Sequence, residues 1–157
     1  MNIMDFLDER AVTIDLKAHQ NKESVIQELV GLLAKAGWVK DRDMHGLVQT
    51  LLKRESLGST AIGHGVAIPH GKSDTVKQMI AAFGVSRTGV NFDALDGEPV
   101  SIFFLLVAPE DSAGPHLKAL ARICRLLQDK HFRESLKAAK EEKTLVKIIR
   151  DEDERRH

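Results

Sequence analysis

The stretch Val100–Val107 most constrains this chain. Every residue in it except Ser101 is apolar. Such a run suits a central β-strand covered on both faces, because a strand with one solvated face alternates with polar residues. A strand of that kind needs layers above and below it. The chain supplies helical patterns for them, and the order of strands and helices predicts an α/β layered domain. At 157 residues the chain reads as a single domain with a substantial core, about residues 10–150.

Met4–Asp8 is expected to form one helical turn. Ala11–Leu16 reads as a strand with Val12, Ile14 and Leu16 on one face. Lys22–Ala36 is the clearest helix, with Val25, Leu29, Leu32 and Leu33 on one side and Gly37 as its stop. Trp38 is expected to be a packing anchor. Asp41 or Asp43 is expected to cap a second helix running to about Lys53, with Leu47, Val48 and Leu51 inward. Met79–Ser86 reads as a strand, Arg87–Gly89 as a turn, and Val90–Phe92 as resumed extended chain. Asp96-Gly97 is a turn signal. A helix is expected near Pro115, a residue tolerated in a first helical turn, with Leu117, Leu120, Ala121, Cys124 and Leu127 inward. Lys130–Ala139 and Thr144–Arg150 are further helical patterns, and the charged tail Asp151–His157 is expected to fray.

The 23 basic and 23 acidic residues cancel, so no basic excess points to nucleic acid. No apolar run approaches the roughly 20 residues that span a bilayer, which argues against direct membrane insertion. Met1–Arg10 lacks a signal-peptide apolar region. The single cysteine, Cys124, excludes an intrachain disulfide framework and fits a reducing cytoplasm. A structural thiol is the favoured reading of it.

The stretch Arg54–Gly71 carries the chemistry. Val66–Ile68 is a short apolar run bounded by glycines, which reads as a buried strand end. Pro69 lacks an N–H, so the ladder is expected to stop there. His70 then emerges at the rim of a sheet, with Gly71 leaving it uncrowded. A neutral imidazole held in this way suits nucleophilic work, since one nitrogen keeps a lone pair while the other is oriented by a hydrogen bond. A structural surface histidine is the alternative. Arg54, at a helix C-terminus, either complements the helix dipole or binds phosphate through paired hydrogen bonds. His116 falls in a first helical turn, where free N–H groups and the dipole favour an anion and a neutral imidazole. Lys72 is a loop lysine that is either solvated or available to a phosphate or an acidic partner.

Arg54-Glu55, Leu57–Thr60, Ile62-Gly63 and Gly65–Gly71 resemble the active-site signature of the fructose/mannitol-type enzyme IIA proteins of the bacterial phosphotransferase system. The likeness continues through Asp96-Gly97, Pro99-Val100 and His116-Leu117, and spans nearly the whole chain. Leu57-Gly58-Ser59-Thr60 is most similar to the nitrogen-regulatory branch. The resemblance implies a mixed β-sheet flanked by helices on both faces. It implies that His70 is the phosphorylated nucleophile, His116 its auxiliary and Arg54 the phosphate clamp, with Ser59, Thr60 and Gly71 near the phosphate. The Ser59 and Thr60 hydroxyls have a second reading, as caps of a turn. The implied donor is HPr or its nitrogen-branch equivalent, and the implied onward partner is a IIB domain or a regulated target protein. No cofactor is needed, because the phosphoryl group arrives already activated on nitrogen.

Three other readings stand beside this one. In a regulatory module, phosphorylation of His70 would change which proteins are bound. In a sugar-specific IIA transport component, the phosphoryl group would pass to a IIB partner. In a metal-dependent hydrolase, His64, His70 and His116 would supply three zinc ligands, although no HExxH or paired CxxC spacing supports it. His64 alone reads as a solvent-facing residue or a phosphate hydrogen-bond donor.

Overall fold

The computed structural model describes residues 1–156. Its centre is the apolar run: strand β6, Val100–Ala108, is flanked on both edges and covered on both faces. On one edge it pairs antiparallel with β5, Ile80–Val90, which pairs in parallel with β1, Leu7–Thr13. On the other edge it pairs in parallel with β3, Val66–Ala67, and then with β4, His70–Lys72. The short strand β2, Ala61–Gly63, closes that edge as an antiparallel partner of β3. The sheet is mixed, as expected.

Helices lie on both faces. Helices α1, Lys22–Lys35, and α2, Asp41–Ser56, pack on Phe103, Leu105 and Val107 of β6. Helices α3, Ala113–Leu127, α4, Lys130–Ala138, and α5, Glu142–Arg155, pack on Ile102, Phe104 and Leu106. The period of two in β6 thus divides one strand between two cores. Helix α1 stops where its glycine requires. Gly37 has φ +89°, and the N–H groups of Gly37 and Trp38 donate to Ala34 and Leu33 at 3.0 and 2.9 Å. This is the Schellman arrangement.

Several local expectations fail for physical reasons. Strand β1 begins at Leu7, earlier than Ala11, and ends at Thr13. Leu16 packs in the α1/α2 core and Val12 in the opposite one, so they do not share a face. Trp38 is a surface residue, 36% exposed, whose indole N–H donates to Asp8 at 2.7 Å. Asp41 and Asp43 lie inside the first turn of α2, and the N-cap is Lys40. There the acids complement the helix dipole without capping. Arg87–Gly89 is not a break between strands. It belongs to β5 as an irregular stretch of the β5/β6 register, with Gly89 at φ +78°.

The inward stripe of α3 is His116, Ala119, Ile123, Leu126 and Leu127. Leu117 is 70% exposed and Ala121 is exposed, whereas Leu120 and Cys124 are half-buried. The helix has apolar residues on more than one face, so periodicity alone did not fix its rotation. It also starts at Ala113, two residues before Pro115.

The tail does not fray over the residues described. Helix α5 continues to Arg155, and the Asp153 carboxylate, 2% exposed, accepts from the Ile3 N–H at 2.7 Å and from Arg122 Nε at 2.5 Å. Glu152 receives Arg155 and Arg156. His157 lies outside the described residues. Among the described residues no helix is long and apolar enough to cross a membrane.

Candidate active site

Pro69 does not end the ladder. Its carbonyl accepts from the Leu106 N–H at 3.0 Å, and pairing resumes with His70 opposite Leu106 and Lys72 opposite Ala108. Only the donor that proline lacks is missing. Residues 66–72 therefore keep one alternation alongside β6. Val66 and Ile68 point into the core beneath α3, and Ala67 into the core beneath α2. A Cβ on Gly71 would meet Leu51 and Thr50 of α2 at 3.4 and 3.6 Å. His70 and Lys72 consequently share the α3 face. Gly71 thus faces helix α2 at ordinary van der Waals distance.

His70 is half-buried, and its Nδ1 lies 2.8 Å from the carbonyl oxygen of Ile68. A carbonyl only accepts, so Nδ1 carries the proton and Nε2 keeps its lone pair. Burial pushes the imidazole below its ordinary value of 6.5, and the charge of Arg54 adds to that. The Ile68 hydrogen bond and the charge of Glu55 oppose it. The ring is thus neutral at neutral pH, with Nε2 carrying a free lone pair, the state a nucleophile requires.

His116 meets it from α3, with ring centroids 5.6 Å apart and planes at 69°. His116 is 6% exposed, and its Nε2 is buried without a hydrogen-bond partner. Burial, then the charges of His70 and Lys72, push its pKa down to about 4. A buried unpartnered nitrogen costs about 1–3 kcal/mol. A hydrogen-bonding group brought to that nitrogen would remove the cost.

Arg54 stands near the C-terminus of α2, where Nη1 donates to the Gly58 carbonyl at 2.9 Å. The next residue, Glu55, organises the turn that follows. It is 5% exposed, accepts from the Thr60 hydroxyl and N–H, and pairs with Lys22 at 3.3 Å. Ser59 donates to the Phe92 carbonyl at 2.5 Å and accepts from the Ala61 N–H. Both hydroxyls are engaged within the protein, and so is the Thr60 N–H. Ser59 spans its own turn through the Ala61 N–H, and Thr60 is tied to Glu55. Sequence reasoning quoted Glu55 without giving it a role, although an acid five residues before Thr60 was the available signal.

His64 sits apart, exposed at φ +58° in the β2–β3 turn, with its N–H on Asp96. Among the described residues no three His, Cys, Asp or Glu side chains converge as metal ligands. Cys124 and His64 instead line a depression with Ile62 and Leu127. Burial pushes the Cys124 thiol upward, which keeps it protonated and unreactive.

A mixed, doubly covered sheet that holds two neutral imidazoles edge to face, with an arginine charge acting on one of them, defines a class: an α/β protein with a paired-histidine site at its sheet edge. The chain belongs to the family described as phosphoenolpyruvate-dependent sugar phosphotransferase system, EIIA 2, whose model matches residues 5–152. Members of that family are phosphoryl carriers of the phosphotransferase system. The chain is 38% identical over 149 residues to a nitrogen regulatory protein of Bradyrhizobium diazoefficiens, covering 95% of each chain. It is 37% identical over 153 residues to the fructose-specific EIIABC component of Bacillus subtilis, covering 98% of this chain and 24% of that protein. Its fold matches the nitrogen regulatory protein IIA-Ntr of Neisseria meningitidis with a TM-score of 0.84 at 35% identity, covering 94% of this chain and 98% of that one.

Proposed function

We propose that this protein accepts a phosphoryl group on Nε2 of His70 from a phosphohistidine donor of the HPr type. The observation that carries this reading is the pairing of His70, whose Nδ1–H is held by Ile68, with a buried His116 nitrogen that lacks a partner. In the transfer, the Nε2 lone pair forms the new N–P bond in line. The donor's N–P bond breaks, and its electron pair returns to the donor imidazole. Charge spread over the equatorial oxygens meets the Arg54 guanidinium and a His116 N–H. These are fixed donors, which need no reorganisation as charge develops. No metal or nucleotide takes part.

Exposed apolar side chains occupy segments that adjoin the site: Leu57 beside Gly58, Ile62 on β2, and Leu117 beside His116. They offer a rim on which a donor docks while excluding water from the phosphohistidine. We assign the phosphoryl group a regulatory destination, a target protein whose binding depends on the charge at His70. The near full-length likeness to the Bradyrhizobium and Neisseria nitrogen regulatory proteins supports this. The second reading, onward transfer to a fructose-type IIB domain, is favoured by the match to the Bacillus subtilis component across 98% of this chain. Either reaction belongs in the cytoplasm.

Incubation with phosphorylated donor and mass spectrometry at neutral pH tests the chemistry. Wild type should gain one acid-labile phosphoryl group and His70→Ala none, while Arg54→Ala should be labelled about 10²-fold more slowly. Equal labelling of His70→Ala would assign the nucleophile elsewhere. Sugar phosphorylation supported by this protein with a IIB partner would displace the regulatory destination in favour of transport.

A further inference from the structure

Lys72 takes no part in the chemistry described so far. It stands two residues after His70 on β4, so both side chains project from the same face of the strand. That face is covered by α3, and the Lys72 charge is felt by His116 there. Lys72 is half-buried. Among the described residues it makes no ion pair and no side-chain hydrogen bond. Its neighbours do not neutralise it: the Ser73 hydroxyl bonds with that of Thr75, and Asp74 is exposed. Glu55, the carboxylate whose charge reaches His70, is held by Lys22 and Thr60.

The other cation of the site is equally without a carboxylate, since Arg54 donates to a backbone carbonyl. The site therefore holds two uncompensated cations, one from the end of α2 and one on the α3 face, around two neutral imidazoles. A phosphoryl group carries a charge of about −1.5 to −2 near pH 7, so one guanidinium would leave part of it unbalanced.

We propose that Lys72 is a phosphate-binding residue, whose ammonium closes on the phosphoryl group of His70 from the α3 side and with Arg54 balances its charge. The inference rests on His70 being the phosphorylated residue. It gives the lysine a role only in the phosphorylated state. There it favours the dianion and slows loss of the phosphoryl group to water.

The test is a 31P NMR pH titration of the phosphohistidine in wild type, Lys72→Gln and Lys72→Arg. All three are labelled by the same phosphorylated donor, and their folding is checked by urea unfolding. Loss of a nearby cation raises the pH at which the phosphoryl group takes up its second proton, by about 0.5–1 pH unit for a half-exposed lysine. Lys72→Gln should show that rise and lose its label faster at neutral pH, and Lys72→Arg should restore both. If Lys72→Gln titrates like wild type, Lys72 does not bind the phosphate. That holds even if labelling slows because docking of an acidic donor is weakened. If wild type shows no phosphohistidine resonance, the reading of His70 itself fails and Lys72 falls with it.

Discussion

Acidification should destabilise this protein through His116, by an amount the structure sets. The ring is 6% exposed and its pKa is pushed from 6.5 to about 4, with burial as the main cause. Between those values the unfolded chain binds a proton that the native chain refuses, so stability falls as pH falls through the window. The penalty is nil above pH 6.5, grows downward, and is constant below about pH 4. The full span corresponds to about 3 kcal/mol, of which about 2 kcal/mol is reached by pH 5. Solvent at the mouth of the site screens part of this, leaving about 1–2 kcal/mol. His70 contributes in the same direction, and so does any other depressed histidine. The informative quantity is therefore a difference between variants. Urea unfolding of wild type and His116→Leu at pH 8 and pH 5 and fixed salt measures it, because leucine cannot titrate. Wild type should lose about 1–2 kcal/mol more than the variant on going to pH 5. Equal losses in the two proteins would refute the claim that His116 is held neutral by burial.

Three further outcomes follow from packing. Glu55→Ala leaves Lys22 with only the exposed Asp93 as a partner and Thr60 without its acceptor. It should cost about 1–3 kcal/mol in urea unfolding, and a loss within about 0.5 kcal/mol, the range of ordinary surface substitutions, would mean the carboxylate is dispensable. A Cβ on Gly84 would come within 2.8 Å of buried Leu16, so Gly84→Ala should lower stability by about 1–3 kcal/mol, with the melting temperature as the check. Asp153→Ala removes the acceptor of the Ile3 N–H and a carboxylate that pairs with Arg122. Hydrogen exchange at Ile3 should accelerate with a loss of about 3 kcal/mol, and unchanged protection would show that the amide is held by other contacts.

The elements that sequence made legible were those with a single physical reading. Val100–Val107 has no polar face, and the strand it forms is the sheet's centre. Gly37 after an amphipathic helix ends α1 by the expected motif. The rotation of α3 was not legible, because Leu117 and Ala121 compete with Ala119 and Ile123 at helical spacing. Only packing of the helix on Phe104 and Leu106 decides which pair goes inward. The ordered tail depended on a contact between residues 150 positions apart, Ile3 and Asp153, which no local pattern encodes. In the site, residue type and position left Arg54 and His70 each with two readings and marked His116 only as suited to an anion. It was the resemblance of Arg54–Gly71 and His116-Leu117 to the family signature that gave the three their expected roles. Their mutual placement depends on the parallel register that carries His70 past Pro69 to lie opposite Leu106. The engagement of Thr60 by Glu55 needed coordinates, because a serine or threonine hydroxyl near a turn serves a cap or a ligand equally well.

The hydrogen bond from His70 Nδ1 to the Ile68 carbonyl joins the ring to the backbone of its own strand. Turning the ring over would leave that carbonyl without its donor, so one nitrogen faces outward throughout the proposed cycle. A protein that delivers the phosphoryl group and one that removes it must then approach by the same route. They exclude each other, and traffic through this histidine alternates. Its steady-state kinetics should be of the double-displacement kind, with each protein inhibiting at high concentration by occupying the form meant for the other.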